Sequence, residues 1–179
     1  WIFSPAHGVS RPAYLHRSRK PYSIDEFEQV WKTNWSYPQP WYIPGQGFLF
    51  FHTRYQQVPG TKTMGRALHW MTSRDGRKWS DPSLLAFAQM GHYQISWPRG
   101  NRVATAFDIH PTPTGLNART NIYYLETPDL GRTWFTVEGT QVRPPVRWDE
   151  HPSLVRDFRK DGLLVYLKDL QFDSEGRPI

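Results

Sequence analysis

The sequence predicts an all-β protein built from repeated antiparallel units, and three observations lead to that prediction. Aromatic residues make up 16% of the 179 residues, with nine Trp, nine Tyr and ten Phe. Sixteen Pro and thirteen Gly are spread along the chain and are not collected in one linker. Aromatic residues favour strands, whereas Gly and Pro favour the tight turns between strands. The third observation is an internal repeat.

Two similar turns mark this repeat, "TSRDGRKWSD" at residues 72–81 and "ETPDLGRTWF" at residues 126–135. Their tryptophans, Trp79 and Trp134, lie 134 − 79 = 55 residues apart. The segments before each turn align as well, and a fainter copy covers residues 13–27. The aligned pairs are 67–73 with 121–127, 47–55 with 101–110, and 36–44 with 91–99.

A repeat of roughly 50 to 55 residues with four antiparallel strands is typical of a β-propeller blade. The repeat divides one domain, residues 1–179, into blade pieces at about 1–33, 34–88, 89–140 and 141–179. Propellers have about four to eight blades, whereas this chain holds about three. We therefore expect a partial propeller that belongs to a longer chain.

The chemistry of the two turns is structural. A short Asp side chain accepts hydrogen bonds from nearby backbone N–H groups, and Gly supplies a positive φ. The Trp that follows packs between blades. The residues expected in these roles are Ser73, Asp75, Gly76, Trp79, Thr127, Asp129, Gly131 and Trp134.

The segment "TPDLGRTW" (127–134) matches the Asp box, Ser/Thr-x-Asp-x-Gly-x-Thr-Trp, and "SRDGRKW" (73–79) is one residue shorter. With "SYPQPWYIP", "FHTRY" and "GHYQISW", the chain resembles the BNR-repeat (Asp-box) family of sialidase-like β-propellers. This family is related to ulvan lyases and to propeller rhamnosidases. The resemblance covers nearly the whole chain and implies a sialidase-like propeller whose Asp boxes are not catalytic.

In a propeller the innermost strand of each blade lines the central channel. The predicted inner strands are residues 36–42, 92–97 and 163–170. The repeat places Tyr37 over His92, since 37 + 55 = 92, and places Arg54 within one residue of His110. Equivalent positions on successive blades converge toward one axis, so these side chains are candidates for a shared site.

Such a set suits β-elimination at a uronic acid. Arg neutralises the carboxylate, His serves as a base near neutral pH, and Tyr donates to the leaving oxygen or acts as the base. The resemblance to ulvan lyases, which use a His, a Tyr and an Arg, implies that Tyr37 and Arg54 are that pair and that His7 is a family histidine. The predicted catalytic residues are His7, Tyr37, Arg54 and His92.

Alternate positions of "GLNARTN" (115–121) predict a polar row on an extended segment, suited to sugar hydroxyls and carboxylates. The alternative is a loop that satisfies its own backbone, as Asn does readily. The predicted substrate-binding residues are Gln94, His110, Asn117, Arg119 and Asn121. His92, Gln94 and His110 match no short zinc motif, so no metal ligand and no cofactor is assigned. A structural Ca or Zn ion is left open.

The formal charge of +6 favours an acidic partner. Because the Lys and Arg residues are dispersed, we expect an acidic polysaccharide rather than nucleic acid. No apolar run is long enough to span a membrane, and the absence of cysteine excludes disulfides. The start "WIFSPAHG" does not read as a signal peptide. We expect a monomeric bacterial protein that is secreted or periplasmic.

These observations favour a carbohydrate-active propeller that acts on an acidic polysaccharide by β-elimination or by glycoside hydrolysis. The alternative is a glycan-binding propeller without catalysis, because a fold does not determine a function. Sialidase activity is the weakest possibility, since an arginine triad and a Tyr–Glu pair are not visible in the sequence.

Overall fold

Three antiparallel sheets make up most of the regular structure in the computed structural model, which describes residues 1–179. The first sheet has the order β1-β2-β3, the second β4-β5-β6-β7, and the third β12-β11-β10-β9-β8, with β13 also paired to β10. The strands are β1 (Ile2–Ser4), β2 (Ala13–Ser18), β3 (Phe27–Thr33), β4 (Ser36–Ile43), β5 (Gly47–Gln57), β6 (Met64–Ser73), β7 (Ser83–Ala86), β8 (Gln94–Arg99), β9 (Arg102–Ile109), β10 (Thr120–Thr127), β11 (Trp134–Phe135), β12 (Gln141–Val142) and β13 (Leu154–Arg156).

The predicted all-β architecture of a partial propeller is confirmed. The second sheet is a complete four-stranded unit, whereas the first has three strands. In the third sheet the outer position is divided between two strands. β11 pairs with the C-terminal end of β10 at Glu126, and β13 pairs with its N-terminal half at Ile122 and Tyr123. A single helical element, the 3-10 turn Gly115–Ala118, lies before β10.

Residues 163–170 do not form the predicted inner strand. A strand needs a neighbour to complete its ladder of hydrogen bonds, and this segment makes only isolated contacts. The N–H of Val165 donates to the carbonyl of Arg119, and the hydroxyl of Thr120 donates to the carbonyl of Leu163. The segment therefore lies beside the start of β10 as an extended chain.

The second and third sheets have the same register in their second and third strands but not in their first. The turn between β4 and β5 joins Ile43 to Gly47, whereas the turn between β8 and β9 joins Arg99 to Arg102 and is one residue shorter. Equivalent residues of the two inner strands, β4 and β8, are consequently separated in the sequence by one residue more than the repeat predicts. Tyr37 does not lie over His92; instead its ring contacts that of Tyr93, with centroids 5.4 Å apart.

Alternation along β5 places one side of the strand against the third sheet and the other against the first. Leu49 and Phe51 are fully buried in the larger core with Phe107 and Trp134 of the third sheet. Phe50 faces the smaller core that the second sheet shares with the first. Burying each of these side chains contributes about 2 to 3 kcal/mol of hydrophobic free energy. The consecutive sheets are therefore packed face to face through one strand.

The two repeated turns have matching hydrogen bonds. The Asp75 carboxylate accepts from the N–H groups of Arg77 and Lys78 at 2.8 and 3.0 Å. The Asp129 carboxylate accepts from the N–H and the hydroxyl of Thr133 at 2.8 and 2.7 Å. In each turn a hydroxyl accepts from the glycine N–H at 2.8 Å. Burial alone would raise the pKa of Asp129, but these bonds outweigh it and hold the pKa below its ordinary value.

Each turn also directs its tryptophan into the space between two sheets. The indole N–H of Trp79 donates to the carbonyl of Gly76 at 2.9 Å, and that of Trp134 donates to Gly131 at 3.0 Å. The ring of Trp70 lies so close to Gly131 that an added Cβ would be 2.2 Å from its Nε1. Only glycine allows this approach, because Gly131 also has a φ of +92°.

The structure contains no helix with the length and apolar character needed to cross a membrane.

Two stacked histidines are buried near the smaller core. The rings of His52 and His69 have centroids 5.7 Å apart and an interplanar angle of 20°. Burial, with the charges of His69 and Arg54, lowers the pKa of His52 to about 3. Burial likewise lowers the pKa of His69 to about 4. Both imidazoles are therefore uncharged in the folded protein at neutral pH.

Replacing the Asp129 carboxylate should destabilise the protein. Asp129→Ala leaves the N–H and hydroxyl of Thr133 without their acceptor, so we expect the free energy of unfolding to fall by about 1 to 3 kcal/mol in a urea titration. Asp81→Ala is the matched control, because the exposed Asp81 carboxylate accepts no hydrogen bond. Equal stability of the two variants would contradict a structural role for the turn.

The stacked histidines should make stability depend on pH. An unfolded histidine takes up a proton below about pH 6.5, whereas folded His52 does so only near pH 3. The unfolded state thus binds more protons in this window, and the free energy of unfolding should fall by about 1.6 kcal/mol for His52 between pH 6.5 and pH 5. His52→Phe should flatten this slope in urea titrations. Met71→Leu, buried in the adjacent core, should leave the slope unchanged.

Candidate functional site

A bulge at the start of β4 determines the direction of Tyr37. The pairing of β4 with β5 shifts register between Ser36 and Gln39, and Tyr37 has a φ of +51°. A non-glycine residue in this region carries strain on the order of 1 to 3 kcal/mol, and such strain is common at functional sites. The bulge brings the Tyr37 hydroxyl to 3.1 Å from Nε2 of His7.

The segment carrying His7 is attached to the beginning of β4. The N–H of Ala6 donates to the carbonyl of Trp35 at 3.0 Å, and the side chain of Asn34 donates to the carbonyl of Gly8 at 3.0 Å. His7 itself is exposed. Its Nε2 is also 3.4 Å from the hydroxyl of Tyr55 on β5. An accessible imidazole thus lies beside two phenols.

Two arginines extend this group across the second and third sheets. The Arg66 guanidinium is 5.3 Å from the Tyr55 ring centroid and 5.1 Å from that of Tyr93. Arg119 is 5.0 Å from the Tyr93 ring centroid and 4.1 Å from that of Tyr166. Cation–π contact of this kind holds a guanidinium in place while its N–H groups remain available. We call the following residues the site cluster: His7, Tyr37, Tyr55, Arg66, Tyr93 and Arg119.

Backbone contacts explain why Tyr93 meets Arg66. Tyr55 and Arg66 are cross-strand partners in the β5–β6 pair and so share one face. The segment before Tyr93 runs alongside β6, where the N–H of His92 donates to the carbonyl of Arg66 at 3.1 Å. A Cβ on Gly91 would be 2.3 Å from that carbonyl oxygen, so only glycine permits this approach.

The site cluster carries positive charge without a carboxylate of its own. Neither Arg66 nor Arg119 forms an ion pair, and the buried Nε of each has no hydrogen-bond partner in the protein. Burial raises the pKa of Tyr93, and the neighbouring Tyr37 raises it further, although the two arginines oppose this effect. The Tyr93 phenol therefore stays protonated at neutral pH. Such a surface is suited to an anionic ligand.

His92 and His110 lie beneath the site cluster. The Nε2 of His92 accepts from the N–H of Ala88 at 3.0 Å, and its Nδ1–H donates to the carbonyl of Asp108 at 2.6 Å. Burial lowers the pKa of His92 to about 4, so its ring is neutral. His110 is 1% exposed, and its Nε2 lies 3.3 Å from the Asp108 carboxylate. Its ring supports Tyr93, with centroids 5.0 Å apart.

Arg54 and Gln94 point elsewhere. Arg54 shares its strand face with His52, opposite to that of Tyr55, and no hydrogen bond or ion pair joins it to the site cluster. The Gln94 side chain donates to the Thr105 hydroxyl at 2.8 Å, and the backbone carbonyl of Gln94 accepts from the Gln39 side chain at 3.0 Å. Gln94 therefore links β8 to its neighbours.

The polar row predicted for residues 117–121 is not formed, because the backbone there is not extended. Asn117 is exposed on the 3-10 turn, whereas Arg119 enters the site cluster. Asn121 is buried with a φ of +61°, and its side-chain oxygen accepts from the N–H of Arg159 at 2.9 Å. Of the three, only Arg119 contacts the cluster.

Sequence reasoning did not identify four residues in or against the site cluster: Tyr55, Arg66, Tyr93 and Tyr166. Two of them are next in the sequence to a predicted catalytic residue, since Tyr55 follows Arg54 and Tyr93 follows His92. The shorter turn before β9 was the available signal for Tyr93. Arg66 could have been found from strand pairing, because it lies opposite Tyr55.

The chain does not bring three or more His, Asp or Glu side chains together in a group that could hold a metal ion. A structural Ca or Zn ion remains an expectation from the sequence, and no residue is assigned to it.

Comparison with known proteins identifies both a family and a structural likeness. A family model described as "BNR repeat-containing family member" matches residues 2–179. A solved structure of an ulvan lyase from a new family of polysaccharide lyases, bound to -[GlcA(1-4)Rha3S]-, superposes with a TM-score of 0.74 at 15% identity. A second ulvan lyase structure gives a TM-score of 0.73 at 16% identity. Each superposition covers 99% of this chain and 43% of the other chain. No curated protein matches the sequence.

Proposed function

The chain belongs to the BNR repeat-containing family, and from that premise we propose that it forms part of a carbohydrate-active protein that cleaves a uronic-acid-containing polysaccharide by β-elimination. We propose that it acts outside the cytoplasm, where such polymers occur, and binds no nucleic acid. The ulvan lyases that superpose on the chain support this substrate class. Since the chain spans 43% of their length, the activity is proposed for the whole protein to which these residues belong.

One observation carries the proposal: the 3.1 Å contact between Nε2 of His7 and the Tyr37 hydroxyl, beside guanidinium groups free of carboxylate partners. β-Elimination needs a base for the C5 proton, an acid for the leaving oxygen, and a cation at the C5 carboxylate. Imidazole, phenol and guanidinium groups supply these three functions. All three occur within the site cluster.

We assign the base to His7 and the acid to Tyr37. The Nε2 of His7 takes the proton from C5, the electron pair of the C5–H bond forms the C4=C5 double bond, and the C4–O4 bond breaks. The Tyr37 hydroxyl gives its proton to O4. The imidazolium and phenolate that remain are in hydrogen-bond contact, so the proton returns from His7 to Tyr37 and both groups are restored. No further reactant is needed.

The arginines act on the carboxylate. Removing the C5 proton places negative charge on the carboxylate oxygens, and a fixed guanidinium stabilises that charge more in the transition state than in the bound substrate. Arg66 and Arg119 are held against tyrosine rings and need little reorganisation. Arg54 remains a proposal from the sequence for the same role. The catalytic role of His92 and the binding roles of Gln94, His110, Asn117 and Asn121 remain proposals from the sequence. Of these residues, only His110 has a ring contact with the site cluster, at Tyr93.

Two other activities are separable by their products. Hydrolysis would create reducing ends without a double bond, and a glycan-binding module would bind the polymer without creating either. The exposed imidazole in contact with two phenols favours proton transfer over binding alone.

Variants of the proposed acid and base should stop the reaction. We expect Tyr37→Phe and His7→Ala each to lower kcat by about 10²-fold or more, because each removes a proton-transfer group. The measurement is the ultraviolet absorbance of the C4=C5 product on a uronate polymer. Tyr42→Phe, an exposed tyrosine on the same strand, is the matched control and should keep full activity. Reducing ends without absorbance in the wild-type protein would replace elimination with hydrolysis.

Comparing two arginines should identify the carboxylate partner. We expect Arg66→Ala to lower kcat by about 10²-fold, Arg66→Lys to recover part of the loss, and Arg54→Ala to change kcat little. Thermal unfolding of each variant checks that the sheets remain packed. The reverse result, with loss only in Arg54→Ala, would transfer the role to Arg54 and contradict the assignment of Arg66.

A further inference from the structure

A cleft separate from the site cluster lies at the opposite ends of the strands of the second and third sheets. It is an open depression bordered by the β4–β5 turn and by the two repeated turns of the second and third sheets, and has a volume of about 420 Å³. Both walls come from consecutive sheets of this chain. Its lining residues are Gly45, Gln46, Thr72, Arg74, Asp129, Leu130 and Arg132.

The charged groups of this cleft leave positive charge available. The exposed Arg74 forms no ion pair, and Arg132 donates only its Nε–H to the carbonyl of Asp129 at 3.2 Å. The Asp129 carboxylate in the same wall offsets one of these two positive charges, and the Arg132 charge helps to hold its pKa below the ordinary value. Both of its oxygens accept hydrogen bonds within the turn, so neither guanidinium group is paired with it. The ends of two guanidinium groups therefore face a polar cleft without a protein acceptor. Guanidinium forks of this kind match carboxylate and sulfate groups.

The walls of the cleft are held by hydrogen bonds between sheets. The Gln46 side chain donates to the carbonyls of Asn101 and Pro128 at 3.4 and 3.2 Å, so the β4–β5 turn is attached to the third sheet. Within the third sheet's turn, the Asp129 carboxylate accepts from the N–H of Thr133 and holds the turn in place. The cleft is thus preformed, which reduces the ordering required when a ligand binds.

The cleft is separate from the site cluster. β6 begins near Arg66, which belongs to the cluster, and ends at Ser73, next to Arg74 of the cleft. Seven residue steps along a strand span about 23 Å. A ligand in the cleft therefore cannot touch the reacting sugar.

We propose that this cleft, between the guanidinium groups of Arg74 and Arg132, is a second binding site for an anionic stretch of polysaccharide, through its carboxylate or sulfate groups. It takes its ligand class from the proposed function and holds the protein on the polymer while the site cluster acts on another stretch. Nucleic acid is disfavoured because Leu130 is the only apolar residue in the lining and no aromatic ring is present on which a base could stack. Linking two sites in this way raises the affinity for a polymer but not for a short fragment.

The test compares two double variants with equal loss of charge. Arg74→Ser/Arg132→Ser removes the proposed contacts. Lys32→Ser/Arg147→Ser removes two exposed cations that line neither the cleft nor the site cluster. The probe is a fluorescently labelled uronate polymer, a sulfated polymer, or a uronate tetrasaccharide, titrated at fixed ionic strength because exposed charges are screened by salt.

We expect the cleft variant to bind both polymers about tenfold more weakly while its affinity for the tetrasaccharide and its turnover of that substrate stay the same. The control variant should change polymer affinity less than twofold. Equal losses in the two double variants, or an unchanged affinity in the cleft variant, would overturn the proposal. An equal loss of affinity for a single-stranded DNA probe would also overturn it, because the cleft would then bind any polyanion.

These outcomes are independent of the reaction itself. If no uronate polymer is cleaved but the cleft variant still loses polymer affinity, the proposed function fails and the second binding site stands. If cleavage occurs and polymer affinity does not depend on Arg74 and Arg132, the second site fails and the proposed function stands.

Discussion

The position of a tryptophan between consecutive sheets is the constraint on which the rest of the structure depends. Trp134 donates its indole N–H to Gly131 and packs against Trp70 and Phe51 of the preceding sheet. Trp79 does the same one unit earlier, against Phe3. The carboxylate of each turn holds the loop in the shape that directs the ring inward. Once two sheets are joined at the end that carries the repeated turns, strand length and register determine which side chains meet at the opposite end, where the site cluster lies.

The site cluster is a consequence of that joining, combined with two local departures from regular pairing. The shorter turn before β9 moves the inner strand by one residue and places Tyr93 next to Tyr37. The bulge in β4 turns Tyr37 toward His7. Because a shift of one residue changes which side chains face each other, both departures decide which groups meet at the site.

This geometry explains how far the sequence could predict the structure. The repeat, the turn residues and the alternation of buried positions follow from short-range rules, so the architecture and the residues of both turns could be predicted. The inner strand at residues 163–170 could not, because a strand depends on a partner that local composition does not reveal. Three of the residues that the sequence indicated for the site, His7, Tyr37 and Arg119, belong to the site cluster in the structure. Arg66 and Tyr93 were missed, because a constant repeat length cannot represent a shorter turn, and Arg54 was favoured although it shares the face of His52.

The distribution of charge separates the two kinds of basic side chain in this protein. His52, His69 and His92 are buried, and burial lowers their pKa values so that the sheet interiors carry no net charge from them. Arg66 and Arg119 are cationic side chains whose Nε atoms are buried. An uncompensated charge in such a place is unfavourable for the folded protein alone. The tyrosine rings offset part of that cost through their faces, and an anionic ligand would offset more. The free energy that these two arginines leave unsatisfied in the folded chain is therefore available for binding an anionic ligand.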